Sequence, residues 1–311
     1  MNSKDILKRF GFDVSEEPES IYAFSPVYRV SKGGEDDVII KKTQRPLDKA
    51  ERLMDYLQFL KKNKVHVVTP VYITTHNPQQ IEEDVYVAYP FIKGDVYTGK
   101  DGEIYEAGKL LGKIHELSPK ENEYQLSEYD VYDFNLGEVR ESIEQIREHV
   151  EQYNVPIDVE LMERIFNKAV GQQDELKAAP LPHVITPNDY KSNNLIYTPS
   201  PYLIDPDNAT WIPRIFDLAL VLLLFHNELD SAPAEIFTTT QWKLFLEGYS
   251  EYIQLTENEK TFWEVALEHV FLDEVMWLMA EVPEDWERPE QRLLFESLVK
   301  TMLNHSKNYT L

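Results

Sequence analysis

The stretch from Pro187 to Asp207, PNDYKSNNLIYTPSPYLIDPD, holds the residues best suited to do chemistry: Asp189, Asn194, Asp205 and Asp207. A carboxylate, an amide five residues later and a second carboxylate closing an apolar strand can act as a base and two oxygen ligands for a divalent cation. Asp189 would orient a hydroxyl and accept its proton. Asn194 offers a neutral oxygen and Asp205 a charged one. Magnesium is satisfied by two protein oxygens, because waters and phosphates complete its shell. Such a set suits transfer of a phosphoryl group from a nucleotide to an alcohol. Asp207 reads either as a further metal ligand or as a polar rim residue. Asp, Asn and Pro also recur in turns for local reasons, so the segment alone does not decide.

Support comes from elsewhere in the chain. The strand DVIIKKT (37–43) carries Lys41 and Lys42 after its apolar run. Alternation sends them to opposite faces, so one points into a cleft, and Lys41 is preferred as the phosphate ligand. The segment AYPFIKG (88–94) offers main-chain groups at Tyr89 and Phe91 where an adenine could bind. Asp217, in IFDLAL at the start of an apolar helix, could accept backbone N–H bonds from the catalytic loop and hold it.

These residues need a framework. IYAFSPVYRV (21–30) and 37–43 read as strands joined by a Lys-Gly-Gly turn. DKAERLMDYLQFLKKN (48–63) has helical periodicity. HVVTPVYITT (66–75) and DVYVAYPFI (84–92) read as two more strands, ending at a Lys93-Gly94 hinge. The expected α+β fold is therefore a small antiparallel sheet with one covering helix over residues 1–94, followed by a mainly helical lobe over 95–311. Helices are expected at 103–117, within 134–178, and at 214–228, 239–253, 257–280 and 289–305. The last of these carry recurring acids and aromatics. Trp263, Glu264, Glu268, Asp273, Glu274 and Trp277 could line the acceptor side of a cleft and suit a cationic acceptor by ion pairing and cation–π contact.

Composition narrows the field. The 311 residues carry a formal charge of −24 and no cysteine. Residues 1–94 contain 14 basic and 14 acidic side chains, so the excess lies entirely in the remainder. That field disfavours nucleic acid and anionic membranes as partners. Without cysteine there is no disulfide or thiolate metal site, and the N-terminus has no apolar leader, so a cytoplasmic protein is expected. No apolar run reaches membrane-spanning length. Zinc-hydrolase, nucleophile-elbow and P-loop spacings are absent.

The ordered motifs P-N-D-Y-K-S-N-N-L-I-Y, L-I-D-P-D-N-A and F-D-L-A resemble those of the aminoglycoside phosphotransferase/choline kinase family, the small-molecule branch of the protein-kinase-like fold. GKLLGKIHEL and LFLEGYSEYIQLTENEKTFWEVAL resemble that family's later helices. The resemblance runs from about residue 20 to 300. It implies a two-lobed kinase using ATP and Mg2+ to phosphorylate a hydroxyl of an aminoglycoside, amino alcohol, sugar or homoserine-like acceptor. It implies Asp189 as base, Asn194 and Asp205 as magnesium ligands, Lys41 as phosphate ligand and Asp217 as loop support. The family also presents a helix glutamate to the lysine, for which Glu51 stands nearest. Two departures stand out: Pro187 occupies the place of a family histidine, and 22–30 lacks glycine where a phosphate-covering loop would lie. They leave open a degraded pseudokinase used as an interaction or coat-type protein. A protein Ser/Thr kinase is a second alternative, against which the absence of a recognisable activation segment after Asp205 counts.

Overall fold

The computed structural model describes residues 2–22, 25–31, 37–304 and 306–311. The proposed Lys-Gly-Gly turn lies outside the described residues. The chain opens with helix α1 (Ser3–Arg9), followed by strands β1 (Val27–Val30) and β2 (Val38–Thr43). Helix α2 (Leu47–Lys62) comes next, then β3 (Gln79–Ile81) and β4 (Asp84–Pro90). These four strands form one antiparallel sheet in the order β1-β2-β4-β3.

Period-two alternation gives the sheet two apolar faces. Val38, Ile40, Tyr86 and Ala88 pack with Ile6, Leu7 and Phe10 of α1 and its end, whereas Val87 and Tyr89 join the larger core with Leu53, Met54 and Leu57 of α2. The sheet therefore has two covering helices rather than the one expected. The segment 66–75 is not a strand. Pro70 cannot donate to a ladder, and only Val67 forms a bridge, to Leu203. The hairpin β3–β4 takes the expected strand's place beside the sheet, turning through Glu82 at φ 57°.

Beyond Pro90 come β5 (Asp95–Val96), α3 (Asp101–Glu116), α4 (Leu136–Tyr153) and α5 (Val159–Ala178). Next are β6 (His183–Thr186), β7 (Leu195–Tyr197), β8 (Pro201–Leu203) and β9 (Thr210–Pro213). β9 runs directly into α6 (Arg214–Leu224) and pairs with β6, while β5, β7 and β8 form a separate small sheet. The remainder is helical: α7 (Thr239–Tyr249), α8 (Glu257–Val270), α9 (Met276–Glu281), α10 (Pro283–Glu287) and α11 (Pro289–Asn304). The single helix expected over 257–280 is interrupted by a π-turn, Phe271–Val275, between α8 and α9. Among the described residues no helix is long and apolar enough to cross a membrane.

Two devices hold the helical part together. A Cβ at Gly108 of α3 would lie 2.0 Å from the Phe245 carbonyl oxygen, and one at Gly248 of α7 would lie 2.0 Å from that of Tyr105. These glycines let the two backbones touch. Glu259 closes the first turn of α8 as a capping box with Thr256, and its buried carboxylate takes a bidentate pair from Arg214 of α6 at 2.8 and 2.7 Å. The buried helix that follows the candidate loop is thereby fixed to the C-terminal core.

Candidate active site

β6 ends at Thr186, and the chain then turns sharply through Pro187 and Asn188. Asn188 sits at φ 54°, a left-handed conformation that asparagine tolerates better than most residues. The turn delivers Asp189 to a cavity of about 680 Å³, also lined by Arg45, Lys191, Asp207, Glu228 and Glu274. A single 3-10 turn, Ser192–Asn194, then places Asn194 against the base: its amide nitrogen donates to the Asp189 carbonyl at 2.8 Å and to Oδ2 at 3.2 Å. Among the described residues no group donates to the amide oxygen.

β7 and β8 bring Asp205 back to the same place. Leu195 pairs with Leu203, and the Ile204 N–H donates to the Asn194 carbonyl. Asp205 therefore follows directly on the residue that bonds Asn194. Lys41 reaches across from β2, its ammonium 2.8 Å from both Asp205 oxygens and 3.6 Å from Asp207 Oδ2. Burial acts to lower the Lys41 pKa, but Asp205 and Asp207 outweigh it and leave it raised. Lys42 points the other way, to Asp84 at 2.7 Å. Burial pushes the Asp207 carboxyl up, against Lys41, and its Oδ1 is buried without a partner. The free amide oxygen of Asn194 and the carboxylates of Asp205 and Asp207 are hard oxygen donors, which fits magnesium. Among the described residues no cluster of three His, Cys, Asp or Glu forms a metal cage, so phosphate and water oxygens would complete the shell.

Asp189 is buried enough that its pKa is raised, with Lys191 at 3.3 Å pulling the other way and Glu228 adding to the rise. Asp217 is fully buried but does not accept a backbone N–H from the loop. Its Oδ2 instead takes the Thr186 hydroxyl at 2.6 Å and His115 Nε2 at 3.0 Å, and His115 Nδ1 meets the Tyr249 hydroxyl at 2.8 Å. Burial lowers the His115 pKa, against Asp217, and a neutral ring that donates its Nε2–H to the carboxylate accepts the Tyr249 hydroxyl proton at Nδ1. The reason for the difference is local: Pro187 has no N–H to give, and Thr186 hands the loop to Asp217 through its side chain.

Other expected residues stand elsewhere. Glu51 lies exposed on α2 and does not reach Lys41, whose carboxylate partners are Asp205 and Asp207. Phe91 donates its N–H to the Asp37 carbonyl at 2.9 Å, and Tyr89 is paired with Ile39 within the sheet. The Phe91 ring is covered by the Arg29 guanidinium, 3.8 Å from its centroid. Glu268 pairs with Lys168 of α5 at 2.6 Å, and Asp273 accepts the Tyr129 hydroxyl at 2.6 Å. Trp277 is half exposed and lines the cavity.

Three residues at or near the site were not singled out from sequence as site residues: Lys191, Glu228 and Tyr22. Lys191 was visible as a cation two residues after the base. Glu274 sits on the π-turn, where two consecutive acids interrupt an apolar helix. Burial first, then Asp273 and Asp189, push its carboxyl up to about 7. Burial raises the Tyr22 pKa, with the charges of Glu228, Asp205 and Asp189 adding to the rise and Lys191 opposing it.

A family model described as "Phosphotransferase enzyme family" matches residues 22–251. No curated protein matches the chain. Among solved structures, a microcompartment-associated aminopropanol kinase is 14% identical, with 99% of this chain and 98% of that one covered and a TM-score of 0.65. Amicoumacin kinase hAmiN, solved with AMP-PNP, Ca2+ and Ami, is also 14% identical, with 98% and 94% covered and a TM-score of 0.65. Spectinomycin phosphotransferase APH(9)-Ia, solved with ADP and spectinomycin, is 17% identical, with 98% and 97% covered and a TM-score of 0.60. At these identities the likeness is one of fold, and it agrees with the small sheet and helical remainder described above.

Proposed function

The chain belongs to the phosphotransferase enzyme family, and from that premise we propose that it transfers the terminal phosphoryl group of ATP, with magnesium, to a hydroxyl of a small molecule. The observation that carries this reading is a chain of contacts: Asn194 holds Asp189 at the cavity, the Ile204 N–H bonds the Asn194 carbonyl, and Lys41 crosses from the sheet to the next residue, Asp205. The two-lobe division at residue 94 belongs to the same proposal. The solved likenesses include enzymes for spectinomycin and aminopropanol, which supports a hydroxyl-bearing small molecule as the acceptor.

The roles follow from the geometry. Asp189 orients the acceptor hydroxyl and takes its proton as the oxygen attacks. The Asn194 amide, pinned to Asp189, and the Asp205 carboxylate would hold the metal. Magnesium, when bound, neutralises phosphate charge as it shifts to the leaving group. Lys41, held by Asp205 and Asp207, would be the cation that faces the phosphates. Positioning and electrostatics supply most of the acceleration.

Asp189→Asn tests the assignment of the base. The variant keeps size and hydrogen-bonding capacity but cannot accept the proton. In a screen of ATP consumption over amino alcohols, sugars and aminoglycosides, the wild type should turn over at least one acceptor. The variant should lose about 10²–10⁴-fold in kcat while nucleotide affinity changes little. Unchanged turnover in the variant would remove Asp189 from the chemistry.

A further inference from the structure

One ion pair in the cavity is left without a role by the reading above, and it touches the base. The Lys191 ammonium lies 2.7 Å from Glu228 Oε2 and 3.3 Å from Asp189 Oδ1. Glu228 follows the end of α6 and sits at φ 63°, a conformation that costs a non-glycine residue energy and persists only where surroundings enforce it. The same Oε2 accepts from the Asn193 amide at 3.3 Å, and Ser192 N–H donates to the Phe225 carbonyl at 2.8 Å. Three consecutive loop residues between Asp189 and Asn194 are thus tied to one turn after α6.

The other cations lining the cavity are engaged. Arg45 donates to the carbonyls of Asp207 and Ala209, and Lys49 to that of Gln125. Lys191 alone among the described lining cations stands against the base. A group 3.3 Å from the base that holds the attacking hydroxyl is also beside the phosphorus being attacked. A lysine facing Asp189 alone would give that carboxylate its closest contact. Here Glu228 takes the shorter one, 2.7 Å against 3.3 Å, and shares the ammonium with the base.

Resting on the kinase reading, we propose that Lys191 is a second phosphate-facing cation of this site and that Glu228 is the residue that positions it. In the transfer, the acceptor oxygen forms its bond to phosphorus and its proton passes to Asp189. The bond from phosphorus to the bridging oxygen breaks, and that oxygen leaves with the electron pair on ADP. Lys191 stays protonated throughout and supplies charge at the terminal phosphoryl.

Calorimetric titration with Mg–ADP and Mg–AMP-PNP reads this directly, because only AMP-PNP carries a terminal group for Lys191. Lys191→Met should weaken AMP-PNP about tenfold or more and leave ADP unchanged, while Lys191→Arg should retain most of the difference. Glu228→Gln should weaken AMP-PNP alone, and Glu228→Asp should restore part of it. Added to Lys191→Met, Glu228→Gln should cost nothing further, since a positioning residue acts only through its lysine. A variant that loses ADP and AMP-PNP equally, or neither, overturns the inference, as does a further loss in the double variant. Wild type that binds neither nucleotide overturns the kinase reading as well, and the two failures are thereby distinct. Unfolding midpoints of Lys191→Arg and Glu228→Asp near wild type establish that the fold is intact.

Discussion

At the scale of single residues, the site combines groups whose surroundings pull their ionisation apart. Glu274 is the clearest case. Among the described residues its carboxylate has no ion-pair partner, and burial, Asp273 and Asp189 push its carboxyl up to about 7. A carboxyl whose folded pKa exceeds its unfolded value of 4.5 favours the fold at low pH and loses that contribution as pH rises through the folded value. Between about pH 4.5 and 7 the wild type should therefore lose on the order of 2–3 kcal/mol from this group. Glu274→Gln should flatten that part of the stability–pH curve and be the more stable protein at pH 8, measured by urea denaturation across the range. Parallel curves for the two proteins would contradict the assignment. The sequence made Asp189, Asn194, Asp205 and Lys41 legible because each lies in a short segment with its own spacing. Lys191 and Glu228 were harder to see, since their meaning depends on a turn after α6 that periodicity does not reveal. Glu51 failed for the complementary reason: it lies near the right place in the chain, but the helix face that carries it is exposed.

At the scale of elements, close backbone contact between α3 and α7 positions His115, and through it Asp217 and Thr186 at the base of the loop. Gly108→Ala would put a methyl group 2.0 Å from a carbonyl oxygen, which neither backbone can accept without shifting. It should destabilise the protein by about 2 kcal/mol or more, a typical cost of overpacking. Gly102→Ala, in the same helix with open space around its Cβ position, should be neutral or stabilising by up to ~1 kcal/mol. Thermal denaturation of the two variants side by side reads the contrast. Equal effects would mean that the helix–helix contact is not what these glycines serve. Most helices were readable from periodicity, with boundaries off by a few residues. The strand expected at 66–75 was misjudged because β-branched composition outweighed Pro70, and α1 was passed over because its apolar face is only a few residues wide.

At the scale of the whole molecule, the acidic excess of residues 95–311 and the neutral first part meet where Lys41 crosses to Asp205 and Asp207. That arrangement is what a nucleotide and a metal would exploit: carboxylates and an amide oxygen for the cation, and a lysine they now hold for the phosphates. The most direct test is a thermal-shift titration with ATP, with and without magnesium, on wild type and on Asp205→Ala. At 100 times the dissociation constant, binding to the folded state adds ~2.7 kcal/mol, enough to raise the unfolding midpoint by several degrees. The wild type should show that rise only with magnesium present, and Asp205→Ala, compared with its own unliganded midpoint, should lose most of it. A wild type whose midpoint ignores magnesium and ATP together would contradict the phosphotransferase site.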